Sequence, residues 1–254
     1  MRTPLKEPNN FVSSHVIKKI IPPDVPIKSY AFFSGQMEFP LLKKREKMTF
    51  LTNKIAIYDF WKHLLEKPEV VAMHAEAMHE QTTHGTIETY QRELLTYREP
   101  YMRAAIFYLL NAYSDNGTVS FGTYDINNYN SLFLRRLREL TKSPYEIELK
   151  YYPATYVEEG LQYVEPEDLI FIPVGAYHPP LLIGGLSEGF DTYAFNHQQL
   201  HNILSEMENK FVLCYKYSPR LRDLYVDFSL TCVSKYGTPT RHEHLAEDVI
   251  ITNF

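Results

Sequence analysis

Two hydrophobic periods run along this chain, and the place where one gives way to the other divides it. Ile57, Phe60, Trp61, Leu64 and Leu65 recur at helical spacing and stop at Pro68. Residues 69–79, holding Val70, Val71, Met73 and Met78, predict a second helix, and a polar helix follows around 87–95. Pro100 stands at a first helical position, where its missing N–H costs nothing, ahead of an apolar helix over 101–112. Asn116-Gly117 supplies a turn, and 132–140 predicts a short basic helix.

From Tyr145 the period shortens. Residues 146–149 with Tyr151, then 169–172, read as strands, the second a continuous apolar run of the kind buried on both faces of a parallel sheet. A helix over 196–210 presents Leu200, Ile203, Leu204 and Met207 on one face. Strands at 211–215, 228–233 and 249–252, with a short helix at 221–225, complete the set, and 48–52 adds a strand ahead of the helices. Strands alternating with helices predict an open α/β sheet. Residues 1–28 carry Pro4, Pro8, Pro22, Pro23 and Pro26 and read as an extended arm. The expected organisation is that arm, an α/β domain from 29–66 and 145–254, and a helical subdomain at 67–144, with no internal repeat.

Composition supports a packed interior: 44% of the 254 residues are apolar, with 20 Tyr and 15 Phe against 10 Gly. No apolar run approaches the roughly 20 residues that cross a bilayer, and the first ten residues are too polar for a signal peptide, so the expectation is an intracellular, cytoplasmic chain without a membrane partner. Cys214 and Cys232 lie in apolar runs, as core thiols do. The net charge of −5 means that any nucleic-acid affinity must come from local patches. Candidates are Lys43, Lys44, Arg45 and Lys47; Arg135, Arg136 and Arg138; and Lys216, Arg220 and Arg222, each of which also reads as a solvated face. His74, Glu76, His79 and His84 lack the His-Glu-x-x-His spacing of a zinc helix, and no metal is expected.

Three stretches resemble the Dam-type adenine-N6 DNA methyltransferases, in that family's order. The C-terminal block is the most specific: Phe195-Asn196 with Gln199 and Leu200, Phe211-Val212-Leu213 leading to Tyr217-Ser218-Pro219, then Arg222-Asp223-Leu224-Tyr225, Glu247 and Ile250-Ile251-Thr252-Asn253. Arg103-Ala104, Phe107, Leu110-Asn111 and Asn116-Gly117 resemble the helix and turn of the target-recognition subdomain. Phe33-Ser34-Gly35-Gln36 with Pro40-Leu41-Leu42 resembles the N-terminal Gly-Gly-Lys loop, and Leu51-Thr52-Asn53 with Tyr58-Asp59-Phe60-Trp61 the strand and helix after the cofactor loop. The resemblance implies a Rossmann-like methyltransferase sheet with a mostly helical recognition-like subdomain.

It also implies chemistry that the residues do not supply. Family members hold S-adenosylmethionine on Glu-Pro-Phe-x-Gly-x-Gly, yet no glycine lies between Gly35 and Met48, so loop and strand read as deleted and the sheet as truncated. Glu99-Pro100-Tyr101 mimics the start of that loop but continues Met102-Arg103-Ala104-Ala105, which suits a helix. The family's Asp-Pro-Pro-Tyr accepts hydrogen bonds from the adenine amine; here the strand 169–172 runs into Pro173-Val174-Gly175-Ala176, with no acid, amide or hydroxyl at that point. Tyr177 could still stack on a base, whereas Asp168 lies at the far end of the strand. Gln36 replaces a cofactor-contacting Lys, so Ser34, Gly35 and Gln36 read as a degenerate loop.

The expectation is therefore a catalytically inactive homologue, without cofactor, retained for binding double-stranded DNA or a protein, of the kind a phage or mobile element keeps. Its DNA face would be Lys43, Lys44, Arg45, Arg103, Arg135, Arg136, Arg138, Arg220 and Arg222. The alternatives are a divergent active enzyme using S-adenosylmethionine, with Tyr177 stacking and a relocated acid, and a structural or assembly protein with no nucleic-acid role.

Overall fold

The computed structural model describes residues 2–42, 47–140, 146–177 and 189–254. Among them seven strands form one sheet: β1 (Ile27–Ser29), β2 (Lys47–Thr52), β3 (Glu146–Tyr151), β4 (Leu169–Gly175), β5 (Phe211–Lys216), β6 (Ser229–Ser234) and β7 (Ala246–Thr252), in the order β3-β2-β1-β4-β5-β7-β6. The first five are mutually parallel, and β7 runs antiparallel to both β5 and β6. The fold is α/β and Rossmann-like.

Period-two geometry sends alternate side chains of the central strands to opposite faces. Leu169 and Phe171 of β4, with Val212 and Cys214 of β5, enter one core; Ile170, Ile172, Leu213 and Tyr215 enter another. That is why both strands are apolar without interruption. The first core is covered by α1 (Ser14–Ile20), α2 (Phe39–Leu42), α3 (Ile55–Glu66), α4 (Pro68–Gln81), α5 (His84–Glu93), α6 (Pro100–Tyr113) and α7 (Ser131–Glu139). The second is covered by the 3-10 turn Val157–Tyr163, α8 (His197–Glu206) and α9 (Arg220–Leu224).

Helix α6 is the hub of the first layer. Its Glu99 cap accepts from the Tyr101 and Met102 amides, Pro100 opens the helix, and every residue from 104 to 113 is buried. Its Phe107 ring stacks on Phe60 of α3 at 4.9 Å and meets Phe33 at 6.3 Å, so the helices between β2 and β3 share one core with the sheet. Trp61 of α3, wholly buried, donates its indole N–H to the Phe33 carbonyl at 2.6 Å and touches Phe32, Phe39 and Phe60 edge-on or tilted.

Three expectations are corrected. The first 28 residues are not an extended arm, because Ser14–Ile20 is helical and Leu5, Phe11, Val16, Ile17 and Ile21 are core. The sheet is not short of a strand before β2 either: β1 stands there, with Lys28 and Ser29 paired to β2 and all three of its residues paired to β4. Helix α8 ends at Glu206, four residues short of the sequence expectation, since Met207 turns extended and Asn209 is drawn to the Glu165, Pro166 and Asp168 carbonyls.

Replacing Trp61 by Phe keeps the ring but leaves the buried Phe33 carbonyl without its donor. A loss of ~1–3 kcal/mol is expected, and ~3–5 kcal/mol for Trp61→Ala; urea unfolding of both variants, compared at unchanged slope, measures the difference.

Candidate functional site

The parallel strands direct their carboxyl ends to one edge, and the chain turns one way after β1 and the other way after β4. Loops diverge at such a switch, leaving a crevice. Here it is a cavity of about 690 Å³, within the roughly 300–1,000 Å³ common for small-molecule sites. Its walls are Ala31, Phe33, Met37 and Glu38 after β1, Lys54 after β2, Ala154, Thr155 and Tyr156 after β3, and Pro173, Val174 and Ala176 at the end of β4. Thr118 and Phe121 close it from the loop after α6, residues 191–195 and His197 from the approach to α8, and Glu7, Pro8 and Asn9 from the N-terminal segment.

That N-terminal segment is tied down on both sides of the cavity. The Lys6 backbone exchanges hydrogen bonds with the Asn111 carboxamide, at 2.8 and 3.1 Å, and the Lys6 ammonium donates to the Ala112 and Ser114 carbonyls. Beyond the cavity, the Val12 and Ser13 amides donate to Asp248. Between these anchors the Asn9 carboxamide sits against Gly175, whose φ of +89° only glycine adopts easily; a Cβ there would stand 2.3 Å from Asn9 Oδ1. An amide thus reaches the end of β4 from a distant part of the sequence, where the local motif offers none.

Ser34-Gly35-Gln36 lies in the segment between β1 and α2. The Ser34 hydroxyl donates to Glu7 and accepts from the Gln36 amide at 3.1 Å. Gly35 has a φ of +78°, and the Phe39 ring fills the space beside it, 2.6 Å from where a Cβ would be. Among the described residues, none of these three lines the cavity. The loop therefore packs against α2 and turns no backbone toward the cavity at these three residues.

Acidic groups sit in the walls without Arg partners among the described residues. Glu38, 2% exposed, accepts from the Ser29 hydroxyl at 2.9 Å; burial, reinforced by the neighbouring Glu7 charge, pushes its carboxyl up to about 7 against the Ser29 bond. Burial also raises Glu7, opposed by its Ser34 and Asn9 bonds. Asp191 is raised by burial although it accepts from the Val119 and Ser120 amides and the Ser120 hydroxyl. Tyr193 bridges the Thr52 hydroxyl, at 2.7 Å, and the Phe32 carbonyl. Behind the cavity His197 meets the Tyr215 hydroxyl at 3.1 Å, which in turn meets that of Tyr225 at 2.9 Å. Glu158 lies in the same second core, pushed up to about 7 by burial, with Oε1 on the Asn196 amide and Oε2 unpartnered.

The other sequence-predicted residues are dispersed. Tyr177 packs its ring 4.8 Å from His197 and is half-buried. Asp168 pairs with Lys28 at 2.7 Å at the opposite edge of the sheet. Arg103 forms a bidentate pair with Asp59, at 2.7 and 3.0 Å, and donates to the Tyr97 carbonyl, so its fork is filled. Arg138 pairs with Glu69 and Glu76, Arg135 with Glu139, and Arg222 with Glu243. Arg136 lies over the Phe133 ring and Arg220 is exposed at the start of α9. Lys43, Lys44 and Arg45 fall outside the described residues. Of the described residues of the expected DNA face, four arginines pair with carboxylates and none lines the cavity.

His79 meets the Tyr113 hydroxyl and stacks on Tyr129 at 3.8 Å, and among the described residues no group of three or more His, Cys, Asp or Glu is placed to hold a metal. Both cysteines are free thiols, and no helix among the described residues is long and apolar enough to cross a membrane. Sequence reasoning missed Glu7, Asn9, Glu38, Asp191 and His197. Only Glu38 carried a local signal, as a lone acid between Met37 and Phe39. Neither protein-family models nor curated proteins give a match to this chain.

The Glu38 shift has a definite sign. Its carboxyl titrates at 4.5 ordinarily and at about 7 when folded, so between these values the folded state binds the proton more tightly. Stability is then greatest below the lower value and falls as pH rises through the upper one. Thermal midpoints are expected to drop from about pH 5 to about pH 8, and Glu38→Gln to remove ~1–3 kcal/mol of that dependence. A slope unchanged by the substitution would count against this assignment.

Proposed function

We propose that this chain is a binding protein on the scaffold of a Dam-type adenine-N6 DNA methyltransferase, with methyl transfer lost and a small-molecule cavity kept at the former catalytic edge. The observation that carries the reading is the fate of the loop after β1: its one glycine faces Phe39, and none of its three central residues reaches the cavity. A donor seated by backbone contacts has no such seat here.

The sheet supports the resemblance. Its order is the doubly wound 3-2-1-4-5-6 arrangement with a reversed strand inserted between β5 and β6, which agrees with the Rossmann-like core the resemblance implies. The end of β4 supports the loss of chemistry, since Pro173 and Val174 carry no acceptor side chain to draw on an exocyclic nitrogen. Binding of DNA through phosphates draws less support than binding in the cavity, because Arg103, Arg138 and Arg222 already hold carboxylates and the net charge is −5.

One observation favours the active alternative. The Asn9 carboxamide at Gly175 could accept from an adenine amine, which makes Asn9 the relocated group to test. The purified chain, incubated with methyl-labelled S-adenosylmethionine and duplex DNA, is expected to transfer no label, and calorimetric titration with S-adenosylmethionine to give no saturable heat. Label in adenine, abolished by Asn9→Ala, would establish the active enzyme instead.

A further inference from the structure

The cavity has a chemical character that narrows what it binds. Three carboxyl groups, Glu7, Glu38 and Asp191, stand in its walls against one cation, Lys54, whose ammonium already donates to the Gly189 carbonyl at 3.4 Å. Asp191 is saturated by the three donors of Val119 and Ser120. Glu7 and Glu38 are not balanced in this way: among the described residues each has only neutral donors, and the Glu7 charge lies close enough to disfavour that of Glu38. Small and apolar residues make up most of the remaining wall, and the rings of Phe33, Phe121, Tyr156 and Phe195 stand among them.

Buried carboxyls facing rings favour a ligand that brings a positive charge on an apolar body, since the charge meets an acid and the body meets ring faces. A ligand with its own carboxylate would place like charge beside Glu7 and Glu38. Resting on the binding reading above, we infer that the cavity takes a small organic amine carried on an aromatic or apolar body and lacking an acid group.

Three probes of one shape separate the contributions. 2-Phenylethylamine has the charge, 2-phenylethanol lacks it, and phenylalanine adds a carboxylate. Titration calorimetry on the full chain near pH 8 is expected to show saturable amine binding, with the alcohol and the amino acid at least about tenfold weaker. Glu38→Gln and Glu7→Gln are each expected to weaken the amine and leave the alcohol unchanged; Glu7, partly exposed to the cavity, keeps the test open if the Glu38 variant folds poorly.

Amine affinity should also fall as pH drops through about 7 and Glu38 takes up its proton. The other titratable wall groups are Glu7, Asp191, Lys54, Tyr156, Tyr193 and His197, so a pH effect that survives Glu38→Gln belongs to one of them and sinks the role given to Glu38. Equal binding of alcohol and amine, equal binding of phenylalanine, or no amine binding at millimolar concentration overturns the inference. With label transfer absent, such a result removes the ligand class alone; with label transfer present, the binding reading falls as well.

Discussion

The Asp248 carboxylate, wholly buried on β7, is the point on which the site depends. A buried charge costs several kcal/mol unless its oxygens are satisfied. Here one oxygen accepts from the Val12 and Ser13 amides, at 2.8 and 2.9 Å, and the other from the Lys216 ammonium at 2.7 Å. Lys216 is the register partner of Asp248 across β5 and β7, so the sheet itself positions the pair. The same carboxylate thereby holds the chain where it enters α1. With Lys6 fixed on the end of α6, residues 7–11 must cross the mouth of the parallel strands. One wall of the cavity is made by that crossing.

How much of this was legible in the sequence follows from the range of each interaction. Strands β4 and β5 were readable because both their faces are buried, and α3 and α6 because their apolar stripes and the Pro100 start are local signals. Strand β1 was not: it has three residues, one of them Lys28, and lies one residue after Pro26, so no window of alternation exists to detect. Missing it made the sheet look truncated. The site was harder still, because Asn9 and Gly175 meet only through long-range closure. The partners of the basic residues were hidden for the same reason. A sequence displays cations; it does not display that Asp59 lies across from Arg103, 44 residues away, or Glu76 across from Arg138, 62 away.

Scaffold and site rest on different features of this chain. The order of strands, the switch between β1 and β4 and the crevice beneath it are properties of backbone topology, and they stand whatever side chains occupy the loops. Side chains then decide what the crevice holds: beyond the carboxyl ends of β1 and β4 the chain places Phe39 beside Gly35 and Asn9 beside Gly175. Both contacts fill space, which keeps the edge of the sheet packed.

The position of Trp61 has a practical consequence. It is the only tryptophan, and its indole N–H holds the carbonyl of Phe33, whose ring stands in the cavity wall. A molecule pressing on that ring disturbs the peptide to which the indole is bonded. The chain therefore carries an intrinsic fluorophore one hydrogen bond from its pocket, and emission spectra can follow occupancy without any attached dye.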